Sequence, residues 1–163
     1  MTQKDDEREA ARQAALDALA VDRFADTAVN DIARMAADLC GTPIALVSMV
    51  DGDKQWFKAR VGLATTETSR EWAFCAHAIQ APGQVFVVED ATLDPRFADN
   101  PLVTGDPHIR FYAGAPLVTS SGHALGTVCV IDTQPRTLDP ERMESLRFLA
   151  QQVVTRLEDK QKK

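Results

Sequence analysis

The sequence is poor in the residues that build anion-binding surfaces. Lys and Arg total 18 against 24 Asp and Glu, a formal net charge of -6 with the three His taken as neutral. Nucleic acids and anionic membranes are held by clustered positive charge, so neither is expected as a partner. No run approaches the roughly 18 consecutive apolar residues that span a bilayer. The opening segment, Met1 to Arg8, has no apolar core of a signal peptide, and the expected location is cytoplasmic. Cysteine is scarce as well. Cys40, Cys75 and Cys129 are odd in number, lack framework spacing and sit among apolar neighbours, which excludes a disulfide scaffold. There is no glycine-rich phosphate cradle, no carboxylate pair spaced for acid–base work, no internal repeat and no low-complexity tract. His77, His108 and His123 form no metal-ligand spacing, and no cofactor is required.

What is present is one domain's worth of chain. With 163 residues and 45% hydrophobic content it can bury a substantial core. Residues 5–20 read as a helix with an acidic start and a thin apolar side (Ala11, Ala15, Ala18, Leu19), expected to lean on a partner surface. A second helix is predicted over 27–40, with Val29, Ile32, Ala33, Ala36, Leu39 and Cys40 on one face. Asp26 or Thr27 suits its start and Gly41 its end. Residues 42–50 are apolar at nearly every position, as in a central strand covered on both faces. Asp51-Gly52-Asp53 then turns the chain into a return strand over 54–61. Strict alternation there groups Phe57, Ala59 and Val61 on one face and Trp56, Lys58 and Arg60 on a more solvated one. Short strands are expected over 84–88 and 109–118, separated by a long irregular connection over 89–105. Residues 124–132 form a second central strand. The last helix starts at Leu138-Asp139-Pro140-Glu141, a cap followed by proline at the first position. Met143, Leu146, Ala150, Val153 and Leu157 follow a 3-4 spacing that suits either a short coiled-coil seam or packing on the domain's own core.

The stretch Trp72-Ala-Phe-Cys-Ala-His-Ala-Ile79 is the one place where a Cys, a His and two large aromatics crowd together. A metal site or a Cys–His nucleophile needs the two side chains to converge. The apolar spacing is helical, and on a helix Cys75 and His77 diverge. Trp72, Cys75, Ala76 and Ile79 would then face the sheet, with His77 turned toward a rim. A second candidate region runs from Asp94-Pro-Arg-Phe97 to Arg110-Phe-Tyr112. There Arg96 or Arg110 could hold an anion and Asn100 could fix a lid; alternatively Arg96 or Arg110 pairs with Asp90, Asp94 or Asp99 in a folded loop. Trp72, Phe74, Phe86, Phe97, Phe111 and Tyr112 suit either a pocket for a flat ligand or plain core.

Five segments together resemble GAF domains of bacterial signalling proteins: Pro43 to Gly62, Phe74-Cys-Ala-His-Ala-Ile79, Asp90 to Val103, Ile109-Arg-Phe-Tyr-Ala-Gly-Ala-Pro-Leu117, and Leu125-Gly-Thr-Val-Cys-Val-Ile-Asp132. The resemblance implies an α+β, GAF/PAS-like fold with strand order near 2-1-5-4-3. The central antiparallel sheet would have five or six strands, with terminal helices on one face and a short helix and loops forming a pocket on the other. It divides the chain into an N-terminal helix and linker (1–25), the GAF domain (26–154) and the polar end of a signalling helix (155–163). It implies a sensory domain that binds an unidentified small molecule and dimerises through its terminal helices, acting by binding rather than as an enzyme. The expected ligand-binding residues are Trp72, Phe74, Cys75, His77, Asp90, Arg96, Phe97, Asn100, Arg110, Tyr112 and Cys129. The branch in question often precedes histidine kinase or diguanylate cyclase modules, neither of which lies in this sequence, so a kinase or cyclase output partner is implied. Two alternatives stand beside this reading. One is a dimerisation scaffold whose pocket has collapsed onto its aromatics. The other is a thiol reductase of free methionine sulfoxide, which needs pocket cysteines such as Cys75 and Cys129 to meet. The context of Cys75 does not match a bilin attachment site.

Overall fold

The fold was read from a computed structural model that describes residues 3–162, with side chains described over 6–160; residues 1, 2 and 163 of the predicted terminal segments lie outside it. The helices of the first layer are α1 (Gln3–Leu19), α2 (Thr27–Cys40) and the long α5 (Pro140–Lys162). The strands are β1 (Ile44–Asp51), β2 (Lys54–Val61), β3 (Glu67–Ser69), β4 (Phe86–Val88), β5 (Phe111–Val118) and β6 (Ala124–Asp132). Two short helices, α3 (Phe74–Ala78) and α4 (Pro101–Thr104), and 3-10 turns at Arg70–Trp72 and Ala91–Leu93 fill the connections.

The six strands form one antiparallel sheet in the order β3-β2-β1-β6-β5-β4. With the three-residue β3 set aside as an added edge, this is the 2-1-5-4-3 arrangement that the GAF resemblance implies. The two strands that are apolar at nearly every position, β1 and β6, are the central pair. Their side chains alternate between two cores. Ala45, Val47, Met49, Val128 and Val130 face α2 and α5; Ile44, Leu46, Cys129 and Ile131 face the opposite side. The pair is unusually close at Gly126, where a Cβ would lie 1.8 Å from the Ser48 carbonyl oxygen.

Local chemistry sets the helix ends. Asp26 caps α2 by accepting from the amides of Ala28 and Val29, and Gly41 closes it in the left-handed region at φ 65°. Pro140 opens α5, and Asp139 accepts from the Arg142 amide. The buried stripe of α2 is Val29, Ile32, Ala33, Ala36, Ala37 and Cys40. Leu39, expected in that stripe, is 46% exposed. The buried stripe runs through Ala37 in its place.

Two expectations are corrected by packing, and a third is decided between its two alternatives. The alternation predicted for β2 fails because a bulge at Lys58 interrupts it: Val47 pairs with Ala59 but Ser48 pairs with Phe57. Phe57 therefore faces the second core while Trp56 and Ala59 face the helices, and neither face of the strand is solvated there. The buried Lys58 ammonium is satisfied by donating to the carbonyls of Asp22 and Phe24 and to the Asp22 carboxylate. The first helix does not wait for a partner surface. Leu16 is buried against the domain's own sheet, and the buried Arg12 donates to the carbonyls of Ala124 and Leu125 at the start of β6. A guanidinium with an apolar stem can do this, and a search for apolar periodicity misses it. Finally, the 3-4 stripe of α5 is spent inside the domain. Leu146, Ala150, Val153 and Leu157 are all buried in the core between α5 and the sheet, so they are not a free seam.

Gly126→Ala is expected to destabilise the domain by about 2–3 kcal/mol or more, since the clash is with backbone that no side-chain rotation relieves. Thermal or urea denaturation measures this, and a variant as stable as the parent contradicts the close approach of β1 and β6.

Candidate functional site

The sheet face opposite the long helices is covered by α3, by the 62–68 loop and by the 102–109 segment. Between them lies a cavity of about 220 Å³. Its floor is Ile44, Leu46, Phe57, Cys129, Ile131 and Tyr112; Phe74 of α3 closes one side, and Leu63, Thr65, Leu102 and Pro107 ring the opening. Gln55 and Thr68 supply the polar wall.

The wall is ordered by hydrogen bonds. Gln55 is buried; its Nε2 donates to Thr68 Oγ1 at 2.8 Å, its Oε1 accepts from the Cys75 thiol, and Thr68 Oγ1 donates on to the Ser69 carbonyl. Tyr112 turns its ring back over Gly114, where a Cβ would meet its hydroxyl at 2.4 Å, and the hydroxyl pairs with Thr127 Oγ1 at 3.1 Å. Burial pushes the Tyr112 hydroxyl and the Cys75 thiol well above their ordinary ranges. Burial also raises the Cys129 thiol to about 11, against hydrogen bonds from its neighbours that pull the other way. These thiols carry little thiolate and are poor nucleophiles. Cys40 is buried in the helical layer, and all three cysteines are free. Among the described residues, Ser48 Oγ is the one buried side-chain polar atom without a hydrogen-bond partner.

The expected site residues separate into three groups. Phe74, Tyr112 and Cys129 line the cavity, and Cys75 stands behind Gln55. Phe97 stacks on Phe74 with centroids 4.1 Å apart, and His77 meets Phe97 edge-on at 4.9 Å. Burial lowers the His77 pKa, and Arg96 nearby adds to this. The remaining residues do not converge on the cavity. Trp72, placed by helical spacing on the sheet side, is 38% exposed. The helix is broken at Ala73, which is extended at ψ 121°, so α3 starts two residues later and the predicted face does not continue through the break. Asp90 and Arg96 belong instead to an open groove with Leu93, Arg136 and Met143. Asp90 caps the Ala91–Leu93 turn, while Arg96 forms an ion pair with Asp94 and lies over the Phe86 ring. Arg110 donates to the carbonyls of Val103 and Ile109. Asn100 caps α4 and donates from Nδ2 to the Trp72 carbonyl, tying the two covering segments together. Sequence reasoning missed Gln55 and Thr68. They face each other across the β2–β3 pairing, and nothing local marks them as cavity residues.

Two residues beyond Thr68, Arg70 is held by α1. Its guanidinium donates to both carboxylate oxygens of Glu9, at 2.8 and 2.9 Å, and to the Gly52 carbonyl at 3.0 Å. Gln13 of α1 reaches the same turn, donating to Asp51 and accepting from the Gly52 amide.

The GAF domain family matches residues 25–157. The chain belongs to that family. Among curated proteins, this GAF chain is 48% identical over 153 residues to a cyclic di-GMP phosphodiesterase of Pseudomonas aeruginosa PAO1, covering 93% of this chain and 26% of the relative. The chain thus spans about a quarter of that protein's length. Among solved structures it superposes on a type II free methionine-R-sulfoxide reductase of Thermoplasma acidophilum with a TM-score of 0.64 at 12% identity, over 80% of this chain and 89% of that one. A cyanobacteriochrome receptor aligns with a TM-score of 0.65 at 15% identity, over 93% and 97% of the two chains. At such identities the likeness carries the fold and nothing of the chemistry. Among the described residues no helix is long and apolar enough to cross a membrane.

Hydrogen bonds from Arg70 hold the Glu9 carboxyl at about 2, below its ordinary 4.5, against a smaller effect of burial. Asp26 is also held at about 2, because Lys160, Arg156 and the Val29 amide outweigh the burial that would raise it. A lowered folded-state pKa stabilises above the unfolded value and is lost as pH falls through the folded one. The melting temperature is therefore expected to fall between pH 4.5 and about 2. Glu9→Gln should flatten part of that fall; an unchanged profile in the variant contradicts the role given to the Glu9–Arg70 pair.

Proposed function

We propose that this GAF domain is a sensory module that binds a small molecule in the cavity beneath α3 and passes occupancy to α1, acting by binding rather than by turnover. The observation that carries this is the continuity of the cavity wall with α1. Thr68 lines the cavity, and Arg70, two residues on, is gripped by both oxygens of Glu9. A molecule that displaces the 63–68 wall displaces Arg70, and with it the docking of α1. The cause is differential affinity for two α1 arrangements. In this reading α1, not α5, is the reporting helix, because the apolar stripe of α5 is locked in the core on the far face of the sheet.

The relative's name supports an output partner in cyclic di-GMP signalling, the setting in which the expected diguanylate cyclase also acts. Homodimerisation would use the outward faces of α2 and α5, where Met35, Leu39 and Phe148 remain exposed. Thiol reduction of methionine sulfoxide is disfavoured by the raised pKa values of Cys75 and Cys129. A collapsed scaffold is disfavoured by a cavity that its aromatics leave open.

Native mass spectrometry of the purified protein, followed by amide hydrogen exchange with and without the retained molecule, tests the sensor. Occupancy is expected to change exchange in α1 by about tenfold, and Glu9→Gln to bind equally but lose that response. Equal exchange in the two states of the parent sinks the coupling. Phe148→Glu is expected to convert a dimer to monomer in sedimentation, whereas Leu146→Glu should unfold the domain; a dimer that survives Phe148→Glu places the interface elsewhere.

A further inference from the structure

The charge inventory of the cavity is one-sided. Among the described residues that line it there is no Arg, Lys or His, and the one charged side chain is Asp106, fully exposed at the mouth. Carboxylates and phosphates are bound by guanidinium, ammonium or rows of backbone amides, and an anion buried without them is left uncompensated. The cations nearest the lining in sequence are each engaged by protein groups: Lys58 by Asp22 and the Phe24 carbonyl, Arg60 by the Leu63 carbonyl, Arg70 by Glu9, and Arg110 by the Val103 and Ile109 carbonyls. Asp106 adds repulsion at the entrance. The volume of about 220 Å³ is also too small for a dinucleotide.

The cavity nevertheless has a defined polar end. A primary amide offers two N–H donors and two acceptor lone pairs. The buried Gln55 uses one donor on Thr68 and one lone pair on Cys75. By that count one N–H and one lone pair of the same amide remain, in a residue that lines the cavity. The opposite end is carbon and sulfur: Ile44, Leu46, Ile131, Cys129 and the ring of Tyr112, whose hydroxyl is taken by Thr127.

We infer that the cavity takes a small, uncharged molecule with an aromatic or hydrocarbon body and one amide-like end that pairs with Gln55, and that it rejects anions, nucleotides among them. The inference rests on the sensory reading of the same cavity and names the class of ligand. A site whose buried polar group must be met discriminates strongly against a molecule that cannot meet it. A consequence follows for the phosphodiesterase-like relative: a domain of this kind would report a neutral metabolite, not the anionic substrate named for that protein.

Benzamide and benzoate share a shape and differ in charge, so they separate the terms. The full chain, isotopically labelled, is titrated with benzamide, benzoate and cyclic di-GMP while amide resonances are followed. Benzamide is expected to shift Gln55, Thr68 and Ile131 saturably. Benzoate should bind at least about tenfold more weakly, as expected for the loss of one charge-compatible hydrogen-bonded pairing. Cyclic di-GMP should leave the cavity unmoved. Benzoate or cyclic di-GMP binding there as tightly as benzamide overturns the ligand class and leaves the sensor standing. Benzamide shifts confined to the cavity, with α1 silent, overturn the coupling and leave the class standing. Absence of any cavity shift with benzamide overturns the inference. Gln55→Leu is expected to weaken benzamide about tenfold while toluene binds unchanged. A Gln55→Leu protein that keeps full affinity for benzamide overturns the polar end.

Discussion

The antiparallel pairing of β1 with β6 is the constraint on which the rest of the structure depends. Both strands are buried on both faces, so each face needs its own cover. The backbone approach at Gly126 leaves no room for a side chain between them. A strand pair of this kind cannot be an edge, and it forces the remaining strands outward on each side.

The two covers differ in kind, and the difference produces the site. Regular helices fill one face: α2 and α5 bury stripes of alanine and branched aliphatics against the sheet in one continuous core. Short helices and loops cover the other. Irregular backbone cannot match the sheet as closely, and its ends must be pinned by polar contacts such as Asn100 to Trp72 and Gln55 to Thr68. The residual space between pinned segments is the cavity. A cavity on this face is a consequence of covering a two-sided sheet with two unlike layers.

Buried charge works as fastening. Arg12, Lys58 and Asp26 are each buried, and each holds a junction: α1 to the start of β6, β2 to the segment before α2, and the cap of α2 to the far end of α5. Removing one partner of such a group leaves the other without compensation, which makes these contacts specific rather than merely adhesive. In the Glu9–Arg70 pair neither side chain is buried, so solvent screens it more than these three contacts.

Much of the fold was legible locally. The double-faced strands at 44–51 and 124–132, the Asp51-Gly52-Asp53 turn, the caps at Asp26 and Asp139 and the stop at Gly41 follow from side-chain period and from what each residue does to its own backbone. Local signals failed where one residue changed the phase. The bulge at Lys58 exchanged the faces of β2, and the extended Ala73 cut Trp72 away from α3. Neither is marked in composition, because both are imposed by partners on other elements. The candidate site was half legible for the same reason. Phe74, Tyr112 and Cys129 declare themselves by apolar character. Gln55 and Thr68 become cavity residues because an edge strand three residues long returns beside β2. Arg96, Arg110 and Asp90 have the right chemistry for a ligand, but each is drawn to nearby carboxylates, carbonyls or amides and none lines the cavity. Period and capping therefore specified the elements, the central strand pair and the family. Which side chains share a cavity, and which charges are already used, was decided by tertiary contacts between residues far apart in the chain, since burial and pairing are properties of neighbours in space.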